Sequence, residues 1–266
     1  MTAQKTLKPF LIAFDFDWTL IDEDSDRYIF STLSPPLLKK LYELHGTVQW
    51  TDLMAQLHEE MFLSGVSAQE VLEAWRGIPF NPATAKAITK ATAHAKLIIL
   101  SDSNTVAIKE ILETHALTPH FDTIITNPAH FDSTGCLLVH RLIPPTTPHS
   151  CPNGCAVNIC KGQALMEYIH THGPFDHIIY VGDGRNDLCP ATKLSSTDYV
   201  LPRTGHALAS LLSPTSPVTS PGLPDPVRSV PDSVVRKVCA RVVFWKDGGE
   251  LERVLDEVLG GVQDGV

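Results

Sequence analysis

The stretch Leu11-Ile-Ala-Phe-Asp15-Phe-Asp17-Trp-Thr19-Leu20 decides the fold of this chain. Four apolar residues precede two carboxylates, and a short apolar run that ends in acids is typical of a buried strand in a parallel sheet with ligand chemistry at its carboxyl end. Two ionised carboxylates held close together raise each other's pKa unless a cation or a proton lies between them. The pair therefore predicts a site that binds a cation or handles a proton.

Beyond this strand the apolar pattern first becomes helical and then alternates between helix and strand. The segment from Ser34 to about Trp75 predicts three consecutive helices, and Ser67-Ala-Gln-Glu70 is a capping box at the start of the third. Further strands are expected over 96–100, 121–126, 177–181 and 241–245, further helices over 82–94, 105–115, 161–172 and 249–259, and an extended hairpin arm over 135–143. Such alternation predicts a parallel sheet with right-handed crossovers.

This order of elements predicts an α/β protein with a Rossmann-like parallel sheet core and an inserted helical cap. We expect the core over 1–27 and 79–266 and the cap over 28–78. Residues 213–232 are rich in Pro and Ser and have almost no core-forming residues, which predicts a flexible loop within the core. Its Ser-Pro pairs could be phosphorylated, but the composition favours a tolerated insertion.

The composition limits the partners and the compartment. The formal net charge is -9, which disfavours nucleic acids and anionic membranes because both need a basic surface. The first ten residues lack the pattern of a secretory signal, and no apolar run approaches the ~18 residues of a spanning helix. We expect a cytoplasmic protein without nucleic-acid or membrane partners, whose six cysteines are free thiols or metal ligands.

Polar clusters follow three of the predicted strands. They are Asp15-Phe-Asp17-Trp-Thr19, Ser101-Asp-Ser-Asn104 and Gly182-Asp183-Gly-Arg-Asn-Asp187. Because the carboxyl ends of parallel strands line one crevice, we expect the clusters to converge. Mg²⁺ takes oxygen ligands, typically one or two carboxylates together with water and substrate phosphate. Asp15 and Asp183 are therefore the natural ligands of a predicted Mg²⁺ site.

The three clusters and Lys161 resemble, in order and spacing, the four motifs of the haloacid dehalogenase superfamily of phosphatases. More narrowly, the stretches DFDWTLIDEDSD, IPFNP, LSDSNT, NICK, VGDGRNDLCP and LPR are similar to the phosphoethanolamine/phosphocholine phosphatase family, whose relatives act on pyridoxal phosphate and on thiamine monophosphate. The similarity covers most of the chain apart from the Pro/Ser loop. It implies a Mg²⁺-dependent phosphomonoesterase of small metabolites.

The resemblance also assigns the chemical steps. Asp15 would be the nucleophile that forms an aspartyl-phosphate, a known role of carboxylates. Asp17 would protonate the leaving alkoxide and later activate water, so one acid must be ionised while its neighbour carries a proton. Asp15 and Asp183 would bind Mg²⁺, and Asp17 would touch the metal only through its backbone carbonyl.

Phosphoryl transfer also needs donors around the phosphate oxygens. Ser101 and Lys161 would supply them, and Lys161 lies at the start of a predicted helix, where backbone amides favour anions. Asp187 would either support the Mg²⁺ shell or orient Lys161. The sequence does not separate these two roles.

Acids beyond those that catalysis needs indicate the substrate. Asp26 lies in an acidic stretch after the first motif, and Asp102 directly follows Ser101. Acids near a phosphate site repel the substrate unless its other end is cationic, so we expect Asp26 and Asp102 to recognise an amine or a quaternary ammonium, which agrees with the choline and ethanolamine substrates of the family. The alternative for Asp26 is a helix-capping acid. Trp18 could face the cation, although simple packing is favoured.

The cysteine-rich segment His149-Ser-Cys151-Pro-Asn-Gly-Cys155-Ala-Val-Asn-Ile-Cys160 precedes Lys161. Three thiols and a histidine could form a tetrahedral Zn²⁺ site of the Cys₃His type, but the spacing is irregular compared with usual zinc ligand pairs. The favoured interpretation is a packed loop that presents Lys161 to the site. Cys189 and Cys239 are expected to be core thiols.

Two other functions stay open. The DxDxT pattern also occurs in phosphoprotein phosphatases with little cap, but the helices inserted between the first two motifs argue against that class. A non-catalytic scaffold that binds partners through the Pro/Ser loop is disfavoured because every motif residue is intact. The sequence leaves open the oligomeric state and the choice among phosphocholine, phosphoethanolamine, pyridoxal phosphate and thiamine monophosphate.

Overall fold

The computed structural model describes residues 10–213, 215, 217–219 and 232–261. Most of the predicted Pro/Ser loop, namely 214, 216 and 220–231, therefore lies outside the described residues. The strands are β1 (Phe10–Phe14), β2 (Ala95–Asn104), β3 (Thr123–Asn127), β4 (Ala129–Phe131), β5 (Leu137–Val139), β6 (Ile178–Gly182), β7 (Tyr199–Pro202) and β8 (Arg241–Val242). The helices are α1 (Ser25–Leu33), α2 (Pro35–Leu44), α3 (Trp50–Leu63), α4 (Ala68–Arg76), α5 (Pro82–Ala91), α6 (Thr105–Thr114), α7 (Lys161–His172), α8 (Leu188–Ala191), α9 (Ala207–Leu212), α10 (Asp232–Val235) and α11 (Gly248–Gly261).

Six strands form one parallel sheet in the order β3-β2-β1-β6-β7-β8. β1 lies inside this sheet between β2 and β6, where Ala13 is opposite Ile98 and Tyr180. A strand covered on both faces is apolar throughout rather than alternating, and Leu11 to Phe14 are all fully buried. The predicted α/β class with a Rossmann-like parallel sheet is confirmed.

Successive side chains of β1 enter two different hydrophobic cores, because side chains of a strand alternate between its faces. Ile12 and Phe14 pack in the core that also receives α5 and α11. Leu11 and Ala13 pack in the core that receives α7 and α9. The helices thus cover both faces of the sheet and leave the carboxyl edge of its strands to the polar clusters.

Four consecutive helices, α1 to α4, separate β1 from α5 and are called the helical insert below. The sequence predicted only three helices, over a cap of 28–78, and the prediction missed α1. This helix begins at Ser25 because the Asp24 carboxylate accepts the backbone N–H of Arg27 at 2.9 Å and so acts as its N-cap. The predicted capping box at the start of α4 is present, with Ser67 and Glu70 bonded reciprocally.

A small antiparallel hairpin, β4 with β5, projects beside the sheet and packs against α3 of the insert. The hairpin arm was predicted over 135–143, and its second strand falls within that range. Just after it, the Arg141 guanidinium forms an ion pair with Asp52 of α3, with 2.8 Å between Nε and Oδ1. The hairpin therefore contacts the insert in addition to the segment between β1 and α1, which leads directly into it.

Several boundaries differ from the predictions. β7 was not predicted, β8 ends at Val242 rather than at Trp245, and β2 continues to Asn104 with irregular pairing to β3 after Leu100. Cys239, predicted to be a core thiol, is exposed, because the chain between α10 and β8 runs along the surface. Within the described part of the chain, each helix is too short or too polar to cross a lipid bilayer.

Candidate active site

The three polar clusters converge at the carboxyl edge of the sheet. Asp15 follows β1, Ser101 lies in the last part of β2, and Asp183 follows β6, which neighbours β1. Carboxyl oxygens of Asp15, Asp183 and Asp187 lie within 4.8 Å of one another, and all three residues are buried. The sheet order thus brings together side chains that are far apart in the sequence, as the parallel arrangement predicted.

Lys161 lies between two of these carboxylates. Its Nζ is 2.7 Å from Asp15 Oδ1 and 2.8 Å from Asp187 Oδ1, and its side chain is 1% exposed. The helix α7 begins at Lys161 and positions it there. Both carboxylates raise the pKa of Lys161 and outweigh the opposing effect of its burial, so the ammonium stays charged. Three carboxylates around one ammonium leave an excess of negative charge.

Asp187 accepts hydrogen bonds from four donors. Its Oδ1 accepts from Lys161 Nζ at 2.8 Å and from the Tyr180 hydroxyl at 2.6 Å. Its Oδ2 accepts from the backbone N–H groups of Asp183 at 3.0 Å and Gly184 at 2.8 Å. A methyl group at Gly182 would come within 2.6 Å of Asp187 Oδ2, so only glycine fits there. This geometry favours the role in which Asp187 orients Lys161 and fixes the loop of Asp183.

Burial and mutual repulsion act on the two remaining carboxylates of the group. Burial, and next the charge of Asp187, raise the pKa of Asp15 well above its ordinary value, against the opposing charge of Lys161. Burial also raises the pKa of Asp183, while His206, whose Nδ1 lies 2.9 Å from Asp183 Oδ2, lowers it. Each carboxylate would ionise more readily if a further cation were present.

The donor set therefore suits a hard divalent cation. It consists of carboxylate oxygens, with a negative excess that one Lys161 ammonium does not balance, and Mg²⁺ prefers such ligands. The two contacts described for Asp15 both fall on Oδ1, from Lys161 and from the Phe16 N–H at 2.7 Å. Asp15 and Asp183 would hold the ion, whereas the four donors of Asp187 already engage both of its oxygens.

Asp17 lies beside this group and outside it. Its Oδ1 accepts the backbone N–H of Ser25, the first residue of α1, at 2.8 Å. Burial, and next the charges of Asp24 and Asp26, raise the pKa of Asp17 well above its ordinary value, which favours a protonated carboxyl. Trp18 follows in the left-handed region, with φ 55, and its ring packs on His206 at 5.8 Å between centroids. The Trp18 ring thus adopts a packing role.

A second group of acids lies where the insert meets the core. Burial raises the pKa of Asp24 to about 6. Burial, and next the charge of Asp24, raise the pKa of Asp26 well above its ordinary value, and Asp102 adds to the effect on both. Asp26 is 4% exposed, and its carboxylate accepts the indole N–H of Trp50 in α3 at 2.8 Å. Asp102 is partly exposed, and its carboxylate accepts the side-chain N–H of Asn186 at 3.1 Å. Asp26 and Asp102 are thus close enough to act on one another.

Ser101 is fully buried beneath this edge of the sheet. Its hydroxyl oxygen accepts the backbone N–H of Ser103 at 3.1 Å. A hydroxyl that accepts one hydrogen bond still has its own proton to donate. Ser103 in turn contacts Ser25 of the insert, with 2.8 Å between the two hydroxyl oxygens.

Three site residues were not singled out from the sequence. His206 and Tyr180 contact the carboxylates directly, and Asn186 contacts Asp102. His206 follows the unpredicted strand β7, so nothing in the sequence pattern placed it at this edge. Tyr180 lies inside an apolar strand, where a tyrosine is read as packing, and only the register of β6 aims its hydroxyl at Asp187.

Comparison with known proteins assigns the chain to a family of phosphatases. A family model described as "Putative Phosphatase" matches residues 10–259. Pyridoxal phosphate phosphatase PHOSPHO2 of Rattus norvegicus is 32% identical over 251 residues, 91% of this chain and 95% of that protein. A thiamine phosphate phosphatase-like protein of Arabidopsis thaliana is 36% identical over 212 residues, 76% of this chain and 84% of that protein.

Two further matches widen the range of activities and support the fold. Inorganic pyrophosphatase 2 of Arabidopsis thaliana is 32% identical over 257 residues, 95% of this chain and 84% of that protein. The crystal structure of phosphoserine phosphatase from T. onnurineus has a TM-score of 0.54 and 15% identity, and the match covers 96% of this chain and 98% of that chain. At this identity the structural match supports the fold alone.

Proposed function

The chain belongs to the family described as "Putative Phosphatase" and is a phosphatase, and we propose that it hydrolyses a small phosphate monoester with Mg²⁺ through an aspartyl-phosphate on Asp15. The observation that carries the proposal is the ionic contact of Asp15 with Lys161, 2.7 Å long, beside a second acid, Asp17, whose pKa is raised. Asp15 contacts the Lys161 ammonium, whereas the raised pKa of Asp17 favours its protonated form.

The proposed first step forms one P–O bond and breaks another. A carboxylate oxygen of Asp15 attacks phosphorus, the bond from phosphorus to the alcohol oxygen breaks, and Asp17 gives its proton to the departing alkoxide. Asp17 then takes a proton from water, which attacks the aspartyl-phosphate, releases inorganic phosphate and restores Asp15. The raised pKa of Asp17 suits this alternation between acid and base.

The remaining side chains position the phosphate. Lys161 and the Ser101 hydroxyl would donate to its oxygens, and Asp187 keeps Lys161 in place through the 2.8 Å contact. Asp15, Asp183 and the backbone carbonyl of Asp17 would hold Mg²⁺, which when bound neutralises phosphate charge and favours ionised Asp15. The site lies at the carboxyl edge of the sheet, where the helical insert contacts it through the Ser25 N–H to Asp17.

We further propose that the substrate carries a cationic or protonatable group. The charge of Asp102 adds to the rise in the pKa of Asp24 and of Asp26, and a cation would relieve this repulsion. Pyridoxal phosphate and thiamine phosphate, named in two of the relatives, have such a group. Pyrophosphate, named in another, has none and would be repelled. Asp102 is exposed enough for direct contact, whereas buried Asp26 would act through its charge and through Trp50.

The helical insert would act as the cap of this site. It contributes Asp26, and the Ser25 N–H to Asp17, so its position affects both substrate and acid. A cap that excludes water until the phosphoenzyme forms is a common device of enzymes. It also limits substrate size, which disfavours a phosphoprotein.

The test is phosphate release with Mg²⁺ and with EDTA from phosphocholine, phosphoethanolamine, pyridoxal phosphate, thiamine monophosphate, phosphoserine, pyrophosphate and a phosphopeptide. We expect turnover that EDTA abolishes and a preference for one cationic ester. Asp15→Asn is expected to remove turnover, while Asp176→Asn, at an exposed aspartate away from the site, leaves it unchanged. Full activity of Asp15→Asn would refute the mechanism, and equal rates on all esters would refute the roles of Asp26 and Asp102.

A further inference from the structure

A second candidate metal site includes Cys160, the residue that directly precedes Lys161. The structure brings four thiols together, which we call the cysteine cluster: Cys151, Cys155, Cys160 and Cys189. All four Sγ atoms lie within 4.8 Å of one another, and the thiols are free. Three of them come from the loop before α7 and the fourth from α8, so two distant parts of the chain meet at the cluster.

The distances fit one tetrahedral ion. Zn–S bonds of about 2.3 Å place the sulfurs of a tetrahedral site about 3.8 Å apart. The Sγ of Cys151 lies 3.6 Å from the Sγ of Cys155 and 3.6 Å from that of Cys189, and the Cys160 and Cys189 sulfurs are 3.7 Å apart. A disulfide needs about 2.05 Å. A four-iron cluster would hold the four sulfurs farther apart than a single ion does.

The local backbone is arranged around these sulfurs. Gly154, with φ 74, turns the chain between Cys151 and Cys155 and so brings the two thiols of this Cys-x₃-Cys pair together. The Gln163 N–H donates to the Sγ of Cys160 at 3.3 Å. Donors of this kind stabilise a thiolate, the form of cysteine that binds a metal. Gly162 leaves room for Cys189, because a methyl group there would lie 2.6 Å from its Sγ.

The position of His149 removes the predicted Cys₃His alternative. Its Nε2 lies 2.8 Å from the carbonyl oxygen of Ala156, and its Nδ1 accepts the N–H of Cys151 at 3.3 Å. Both ring nitrogens are therefore engaged by backbone. The fourth donor is Cys189, which was predicted to be a core thiol and is buried within the cluster.

We propose that the cysteine cluster binds one structural Zn²⁺ ion through four thiolates. The two buried members, Cys160 and Cys189, and the two half-buried members, Cys151 and Cys155, leave a route for the ion from one side. Cysteine thiolates are preferred ligands of Zn²⁺, and sites with four protein ligands are structural rather than catalytic. The carboxylate group at the sheet edge, in contrast, offers only oxygen and suits Mg²⁺.

The ion would fix two residues of the candidate active site. Cys160 directly precedes Lys161, and Cys189 lies two residues after Asp187. A Zn²⁺ ion bound by both cysteines would therefore also hold together the segments that carry Lys161 and Asp187, whose side chains are 2.8 Å apart. The proposed ion acts on the reaction only through the position of Lys161. Loss of zinc is therefore expected to weaken phosphate binding more than it changes the pKa of Asp17.

The direct test is the zinc content of the protein purified in excess Mg²⁺ without chelator, measured by elemental mass spectrometry. We expect one zinc per chain in the wild type, in Cys239→Ser at the exposed cysteine outside the cluster, and in Asp183→Asn at the carboxylate group. We expect a loss of most of the zinc in Cys151→Ser and in Cys155→Ser. Zinc retained in both cluster variants, or absent from a wild-type protein supplied with zinc, would overturn the proposal.

A second measurement uses the wild type alone, so it does not depend on the folding of a variant. The protein stripped of zinc is titrated with Co²⁺, which reports tetrahedral thiolate ligation by strong visible and sulfur-to-cobalt charge-transfer bands. We expect these bands to saturate at one Co²⁺ per chain and to disappear when Zn²⁺ is added. Weak bands typical of oxygen ligands, or no charge-transfer bands from a stripped protein kept fully reduced, would refute the site.

Discussion

Replacing Asp187 by asparagine separates two roles of this residue by their effect on stability. The carboxylate accepts from Lys161 and Tyr180 through one oxygen and from two backbone amides through the other. Asparagine has nearly the same shape but only one acceptor oxygen, and its other end is a donor. Whichever way the amide turns, two of the four donors face an NH₂ group. They are the two backbone amides, which then lose their acceptor, or Tyr180 and Lys161, of which Lys161 keeps its contact with Asp15.

The magnitude follows from these contacts. A buried donor left without an acceptor costs about 1–3 kcal/mol, so two such donors cost about 2–6 kcal/mol. Removing one negative charge beside Asp15 offsets part of this, because Asp187 is the largest charge that raises the pKa of Asp15. We expect Asp187→Asn to lower the free energy of unfolding by about 3 kcal/mol, or Tm by about 6–12 °C for a domain of this size.

The assay is urea unfolding of the metal-free protein in EDTA, with Asp176→Asn as the matched control at an exposed position. If Asp187 served mainly as a metal ligand, its neutralisation in the absence of metal would relieve repulsion and leave stability unchanged or higher. An Asp187→Asn protein that is as stable as the wild type in EDTA would therefore refute the orienting role. Added Mg²⁺ would then be the condition under which the variant is deficient.

Three further predictions follow from the same structure. The raised pKa of Asp17 favours its protonated form, so kcat/KM for an alkyl phosphate should fall as pH rises through that pKa. Asp17→Asn should lose about 10²–10⁴-fold on this ester but far less on p-nitrophenyl phosphate; equal losses would contradict an acid role. Burial lowers the pKa of His58 to about 4, so the folded state disfavours protonation of this residue. The free energy of unfolding should therefore fall by up to about 3 kcal/mol as pH falls from 6.5 to 4. Urea unfolding at the two pH values should show that His58→Leu lacks this part of the decline. Gly162→Ala should destabilise the protein by about 1–3 kcal/mol by overpacking against Cys189, whereas Gly260→Ala, with open space around it, should show no such loss in thermal unfolding.

The sequence predicted the convergence of polar residues at the carboxyl edge of the sheet because its signals are local. The apolar run before Asp15, the cluster at Ser101 and the start of α7 at Lys161 each depend on a few neighbouring residues, and the parallel arrangement then brings them together. The carboxylate group and the contacts of Lys161 follow that expectation.

The contacts that were missed depend on register and on distant segments. His206 reaches Asp183 only because β7 lies beside β6, and β7 is a four-residue strand with little pattern of its own. Cys189 joins the cysteine cluster only through the packing of α8 against α7. Helix capping was considered for Asp26 and not for Asp24, so the capping role of Asp24 and the extra helix were missed.

The place of β1 in the sheet has a consequence for how the chain folds during synthesis. β1 is made first and pairs with β2 on one side, yet its other partner, β6, begins only at Ile178. Until the ribosome has produced that segment, the unpaired edge of β1 is a template for wrong strand pairing. Pairing across so long a loop is also slow, so this edge of β1 stays unpaired until β6 closes the sheet.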